Sequence, residues 1–135
     1  MQHLYIATAC MTNTAGHLLV VRKQGTHRWI LPGGKRESGE TALQTLVREL
    51  QEELQLHCTQ DAFLPLGAFS ASAANEADHA VHAEVFYTRA PLSSQVQPAA
   101  EIAEVQWLDV QAPWPDTLAP LLRDHILPAL QKRHP

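Results

Sequence analysis

Residues 33–56 combine two patterns that one folded structure must satisfy together. Apolar side chains recur there at the spacing of an α-helix, which predicts a helix over residues 41–54 with one buried face. The apolar stripe consists of Leu43, Leu46, Val47, Leu50 and Leu54. Glu49, Glu52 and Glu53 stand at i, i+3 and i+4, so their carboxylates are neighbours on a face beside that stripe. The sequence therefore predicts a helix that packs on one side and presents clustered acids on another.

The clustered carboxylates repel one another at neutral pH and should weaken an isolated helix. A bound divalent cation explains why the sequence keeps them, because hard cations such as Mg2+ prefer oxygen ligands. Gly33 and Gly34 precede the helix and let the backbone bend sharply beside that site. Because a metal held by carboxylates usually serves phosphate chemistry, the segment predicts a metal-dependent reaction on a phosphate compound.

The same segment resembles the Nudix box, the signature of the Nudix hydrolases or MutT-like pyrophosphohydrolases. The positions that match the box are Gly34, Glu40, Arg48-Glu49-Leu50, Glu52-Glu53 and Leu56. The chain departs from the pattern at Gln55, where the box has a glycine. This position falls near the helix C-terminus, where a left-handed residue other than glycine costs about 1 kcal/mol. The departure leaves the acidic side chains untouched.

The resemblance implies an α/β fold, namely an α/β/α sandwich with a mixed sheet between helices. It implies that Glu49, Glu52 and Glu53 bind one or more Mg2+ or Mn2+ ions, which orient the phosphates and acidify a bound water. In MutT-type enzymes the glutamate that corresponds to Glu49 is a metal ligand and the proposed general base. Other family members take the general base from elsewhere in the chain. Arg48 is expected to pair with a box carboxylate and fix its rotamer. Glu40 is expected to tie the loop to the helix.

A further metal ligand is expected from a loop distant in sequence. MutT-type enzymes place a metal-binding glutamate six residues before a tryptophan, and the resemblance maps this glutamate onto Glu101, before Trp107. Glu104 is the alternative. The other interpretation of Glu101 is a solvated loop residue.

Substrate contacts are expected from Gly33 and Gly34 and from three residues outside the box. Arg22 ends a strand and could reach phosphates. Trp29 is either a core residue or a platform for a base, since Leu31 occupies the place of the aromatic residue that MutT-type enzymes have before Pro-Gly-Gly. Asp116 falls where such enzymes read a purine edge, and it also suits the N-cap of the last helix.

The whole chain is expected to form one domain, residues 1–135, in the order strands, helix, strands, helix. Residues 3–11 and 17–23 are typical of two strands joined by a turn, which predicts a hairpin. Later strands are predicted at 63–70, 79–89 and 102–109. Pro128 is expected to kink or end the last helix.

Composition limits the partners of the chain. Its 135 residues, 45% hydrophobic and 18% charged, are typical of a globular domain that needs no disulfide. A net charge of -4 without a basic block argues against a nucleic-acid polymer. The absence of a long apolar run and of a leader after Met1 predicts a cytoplasmic protein without membrane contact. A homodimer is common among the relatives that the chain resembles.

The resemblance also ranks the substrates. The residues that are typical of the ADP-ribose, dinucleoside polyphosphate and coenzyme A subfamilies, which lie outside the box, are missing from this chain. The leading expectation is therefore hydrolysis of a (d)NTP to a (d)NMP and pyrophosphate, followed by ADP-ribose and other nucleoside-diphosphate derivatives such as sugars. Two other classes stay open. A nucleotide-sensing Nudix module without turnover would be expected to lose a box carboxylate, and a structural protein with an acidic helix would show no metal dependence.

Overall fold

The computed structural model describes residues 1–74, 76–93, 95–111 and 113–133. The main elements in these ranges are β1 (Gln2–Cys10), β2 (Leu18–Lys23), β3 (Gly33–Lys35), α1 (Ala42–Leu54), β4 (Phe63–Ser72), β5 (His79–Thr88), β6 (Ile102–Leu108) and α2 (Leu127–Arg133). A 3-10 turn, Gln60–Ala62, precedes β4, and a π-helix, Leu121–Ile126, runs directly into α2. No helix of the described ranges is long and apolar enough to span a bilayer.

The strands form two sheets. The larger sheet has the order β3-β1-β5-β4, in which β1 is parallel to β5 and antiparallel to β3, while β4 is antiparallel to β5. The smaller sheet is the antiparallel pair of β2 and β6. The expected mixed sheet is therefore confirmed.

The alternation of β1 separates the two cores of the protein, because successive side chains of a strand point to opposite faces. Ala7 and Ala9 pack with the apolar stripe of α1. Ile6 and Cys10 pack on the other face, with the π-helix and α2, which together form the C-terminal helical segment. Cys10 is a free thiol, and burial raises its pKa to about 12. Helices thus cover both faces of the larger sheet, which confirms the α/β/α sandwich.

Helix α1 begins and ends at local signals. The Thr41 hydroxyl accepts the Gln44 N–H at 3.1 Å, and the Gln44 side chain accepts the Thr41 N–H at 2.9 Å, which makes a capping box. Gln55 follows the helix in the left-handed conformation, with φ 56° and ψ 34°. This is the position at which the Nudix pattern has glycine, so the structure shows the strain that the sequence predicted.

The prediction that the first two strands form a hairpin is correct only next to the turn and wrong for the rest of the two strands. Thr12 and Leu18 form a single bridge, and the Leu19 N–H donates to the Met11 carbonyl at 2.8 Å. Farther from the turn, β1 pairs with β3 on one edge and with β5 on the other, so it has no free edge for β2 there. Strand β2 pairs with β6 instead.

The C-terminal helical segment begins later than expected, and Asp116 is not its N-cap. Leu118 pairs with Trp29 as a β-bridge, and the Trp29 N–H donates to the Thr117 carbonyl at 2.9 Å. Asp116 and Thr117 form a turn that leads into this bridge, so the helical segment starts only after Leu118 and the cap position falls at Pro120.

Pro128 does not end the helix. The preceding turns are wide, and the Leu127 N–H donates to the Leu122 carbonyl five residues back. Helix α2 then continues through Pro128 to Arg133. The π-helical turn accommodates a residue that has no N–H of its own to donate.

Candidate active site

A cleft of about 470 Å³ is lined by residues of the larger sheet, the loops flanking β3 and the C-terminal helical segment. Its polar lining includes Glu49, Glu101 and Lys23, together with the backbone of Gly33 and Gly34. Its aliphatic lining includes Leu4, Ile6, Leu31, Val81, Leu122 and Ile126. The cleft thus joins one acid of the box, Glu49, and the distant Glu101 to an apolar pocket.

Gly33 brings β3 close to β1 and binds a buried acid. Its φ is +141°, and a Cβ atom there would lie 2.1 Å from the Ala7 carbonyl oxygen, so a larger residue would force the strands apart. The Gly33 N–H donates to Glu53 Oε1 at 3.2 Å. Glu53 is 2% exposed, so this contact fixes a carboxyl group inside the protein.

Gly34 makes room for the carboxyl group of Glu49. A Cβ atom at Gly34 would lie 2.4 Å from the Glu49 carboxyl carbon and 2.6 Å from its Oε1 atom. The box glycine and the box glutamate are therefore matched in space.

Arg48 links the acids of the box. Its Nε and Nη2 donate to the two carboxylate oxygens of Glu40 at 2.7 and 2.9 Å. Its Nη1 donates to Glu49 Oε1 at 3.0 Å and lies 3.6 Å from Glu52 Oε2. The bidentate pair with Glu40 fixes the guanidinium, which in turn fixes the Glu49 carboxylate.

The box acids have different pKa values because their surroundings differ. The hydrogen bond from Arg48, helped by those from the Glu37 N–H and the Thr45 hydroxyl, lowers the pKa of Glu40 to about 2. Burial raises the pKa of Glu49, against the opposing effect of Arg48. Burial also raises the pKa of Glu53 to about 8, although its hydrogen bond from Gly33 acts the other way. Glu40 is thus an anion at neutral pH, whereas Glu53 is an acid that a bound cation would help to ionise.

The loop before β6 brings Glu101 to the same cleft. The Ala99 N–H donates to the Glu53 carbonyl at 2.8 Å, which anchors this loop at the end of α1. Glu101 lies 3.4 Å from Lys23 Nζ, and its charge contributes to the raised pKa of Glu53. Glu104 instead pairs with Arg22. Glu101 therefore lines the cleft, whereas Glu104 is not among its lining residues.

The donor set fits a hard divalent cation, since it consists of the carboxylates Glu49, Glu52, Glu53 and Glu101. In the part of the chain that the structure describes, no three His, Cys, Asp or Glu side chains already stand as a ligand group. Glu52 and Glu101 are 54% and 60% exposed, so these side chains can turn toward a cation at small cost.

Three predicted substrate residues are not among the residues that line the cleft. Arg22 is held by Glu104, and its neighbour Lys23 lines the cleft instead. Trp29 packs against the core on the side of the C-terminal helical segment. Asp116 is exposed, and its carbonyl accepts Arg28 Nη1 at 2.7 Å.

Thr8 lines the cleft, although nothing in the sequence marks it. It stands opposite Gly33 in the pairing of β1 with β3. Only this long-range register reveals its position.

Comparisons with known proteins identify the family of the chain. A family profile described as NUDIX domain matches residues 2–130. The uncharacterized Nudix hydrolase YvcI of Bacillus subtilis (strain 168) is 30% identical over 112 residues, which are 82% of this chain and 69% of that protein. The MutT protein of Methanosarcina mazei Go1 superimposes with a TM-score of 0.77 at 20% identity, covering 99% of this chain and 97% of that one. For the MutT NUDIX hydrolase of Burkholderia pseudomallei the TM-score is 0.73 at 21% identity, with coverage of 97% and 98%.

The chain belongs to the NUDIX family. It is a Nudix hydrolase, an enzyme of a family that generally uses a divalent metal ion and acts on small nucleotide-type substrates.

Proposed function

We propose that the enzyme hydrolyses a diphosphate linkage in nucleoside triphosphates, converting a (d)NTP to a (d)NMP and pyrophosphate with Mg2+ or Mn2+ as cofactor. The observation that carries this proposal is the cleft itself, in which Glu49 and Glu101 line the same cavity as an aliphatic pocket. Acids suit the metal-bound phosphates, and an apolar pocket suits the faces of a base. Lys23 and Lys35 line the cleft as well and favour an anionic substrate.

Glu49, Glu52, Glu53 and Glu101 would hold the cation. When bound, the cation neutralises the phosphates and acidifies a water molecule. Glu49, which Arg48 orients at 3.0 Å, takes a proton from the attacking water. The water oxygen bonds to a phosphorus atom while the bond from that phosphorus to the bridging oxygen breaks. The products are the monophosphate, pyrophosphate and a proton.

Other residues position this chemistry. Glu40 keeps its charge and holds the guanidinium of Arg48, so the Glu49 carboxylate stays in one orientation. Gly33 and Gly34 allow strand β3 to pass directly over Glu53 and Glu49. Substitution of these groups should lower kcat without changing which substrate is preferred.

The test is a panel of (d)NTPs, ADP-ribose and nucleoside-diphosphate sugars, incubated with Mg2+, with Mn2+ or with a chelator. We expect metal-dependent release of pyrophosphate from the triphosphates. No turnover of any compound would refute the proposal, and turnover of ADP-ribose alone would refute its choice of substrate.

Matched variants locate the site. Glu53→Gln, Glu52→Gln and Glu101→Gln should each lower kcat strongly. Glu104→Gln is the control, because Glu104 lies on β6, three residues after Glu101, and pairs with Arg22 of β2. Full activity in Glu53→Gln and Glu52→Gln would contradict the metal site, and a loss in Glu104→Gln with full activity in Glu101→Gln would exchange the roles of these two residues.

A further inference from the structure

The hydroxyl group of Thr8 is buried in the cleft without a partner. Thr8 is 3% exposed, and its Oγ1 atom makes no hydrogen bond within the described part of the protein. Every other polar side chain that lines the cleft in the described ranges is half-buried or exposed. Because buried polar groups are nearly always hydrogen-bonded, a buried hydroxyl without a partner needs an explanation. One explanation is that a bound substrate supplies the partner.

The surroundings of Thr8 indicate what that partner is. Leu4 and Ile6 on β1 line the same cleft, and Leu121, Leu122 and Ile126 line it from the C-terminal helical segment. Among the described residues no aromatic side chain lines the cleft. The occupant is therefore held by aliphatic contacts, and Thr8 is the buried polar side chain that can orient it.

A base has the chemistry that this arrangement needs. Its faces are apolar enough to lie against aliphatic side chains. Its edge carries hydrogen-bond donors and acceptors, and a hydroxyl can accept from the former or donate to the latter. A pure hydrocarbon group would leave the Thr8 hydroxyl buried and unpaired, which is unfavourable.

We propose that Thr8 is a specificity-determining residue whose Oγ1 atom forms a hydrogen bond with the base of the nucleotide substrate. The inference rests on the proposed function and deepens it. Base selectivity in this enzyme comes from this one hydroxyl more than from stacking, so bases that place a polar atom near Thr8 are preferred.

Thr8→Val tests the role of the hydroxyl, because it removes that group while nearly preserving the shape of the side chain. KM for the preferred nucleotide should rise roughly three- to ten-fold, the value of one neutral hydrogen bond, while kcat changes little. Thr8→Ser keeps a hydroxyl and should retain the wild-type order of preference. Thr88→Val, at the end of β5 and away from the cleft lining, is the matched control and should leave KM unchanged.

Two further readouts separate substrate contact from a structural role. Turnover of inorganic triphosphate, which has no base, should be the same in wild type and Thr8→Val. The melting temperature of the ligand-free Thr8→Val protein should be equal to or above that of wild type, because an unpaired buried hydroxyl is removed. If Thr8→Val does not fold, Thr8→Ala gives the same kinetic comparison.

The outcomes are distinguishable. A wild-type enzyme that cleaves nucleotides and a Thr8→Val variant with the same KM for all of them would overturn this inference alone. Equal losses on nucleotides and on inorganic triphosphate would also overturn it, since the base would not be involved. A wild-type protein that cleaves no nucleotide would overturn the proposed function and this inference with it.

Discussion

Replacement of Glu53 by glutamine should stabilise the metal-free protein while it removes activity. Glu53 is 2% exposed, and burial raises the pKa of its carboxyl from an ordinary 4.5 to about 8. Glutamine has nearly the same shape, keeps an oxygen that can accept the Gly33 N–H, and cannot ionise. The variant therefore avoids the energetic cost of protonating or burying the charge of this acid when the chain folds at neutral pH.

The sign and size of the effect follow from proton binding. Between pH 4.5 and about 8 the carboxyl of Glu53 is ionised in the unfolded chain and protonated in the folded one, so the stability of the wild type falls as the pH rises through this window. At pH 7 the gap from the unfolded pKa is about 2.5 units, and each unit corresponds to about 1.4 kcal/mol. The expected advantage of Glu53→Gln at pH 7 is thus roughly 3 kcal/mol, and it falls below about 1 kcal/mol at pH 5.

Urea unfolding at pH 5, 7 and 9 in the presence of EDTA measures this difference. Glu52→Gln is the control, since it makes the same change on the same helix at a side chain that is 54% exposed. Its free energy of unfolding should stay within about 0.5 kcal/mol of wild type at each pH. Equal unfolding free energies for wild type and Glu53→Gln at pH 7 and 9 would refute the reasoning.

Three further predictions concern Gly34 in β3, Arg48 within α1 and Gln55 at the C-terminal end of α1. Gly34→Ala should lower kcat roughly a hundred-fold or more, because a Cβ atom 2.4 Å from the Glu49 carboxyl carbon must displace that carboxyl; unchanged steady-state kinetics would contradict this contact. Arg48→Lys should lower kcat and destabilise the fold by about 1 kcal/mol in urea, because lysine cannot hold both oxygens of Glu40; an active variant of wild-type stability would count against it. Gln55→Gly should stabilise the protein by roughly 1 kcal/mol with no change in kcat, since glycine adopts a φ of 56° without strain; a loss of stability would show that the side chain makes a necessary contact.

Features set by local chemistry were predictable from the sequence. The apolar stripe of α1 has its own period, and the ends of the helix are marked by Thr41 and by the left-handed Gln55. The box spacing likewise places Glu49, Glu52 and Glu53 on one helix whatever the rest of the chain does. These predictions needed no knowledge of long-range contacts.

Features that depend on partners distant in sequence were not predictable. Glu52 and Glu53 are adjacent and chemically identical, yet Glu53 alone is buried, because β3 approaches it through Gly33. The sequence made Asp116 a candidate N-cap, but the bridge between Trp29 and Leu118 keeps Leu118 out of the helix, so the helical segment starts later.

The division of the strands between two sheets has the same origin. A turn between two apolar segments predicts a hairpin, but it does not reveal that β3 and β5 occupy both edges of β1. The same pairings place Thr8 opposite Gly33 in the cleft, so the residue on which we base substrate specificity carries no signal of its own in the sequence.

The most direct test of the metal site is Mn2+ binding, measured by electron paramagnetic resonance in the presence of a non-hydrolysable nucleotide analogue. We expect Mn2+ to bind to the wild type and to Glu104→Gln with equal affinity, and at least ten-fold more weakly to Glu49→Gln and Glu53→Gln. Equal Mn2+ affinity in all four proteins, or no binding to the wild type, would show that the acids of α1 do not hold the catalytic cation.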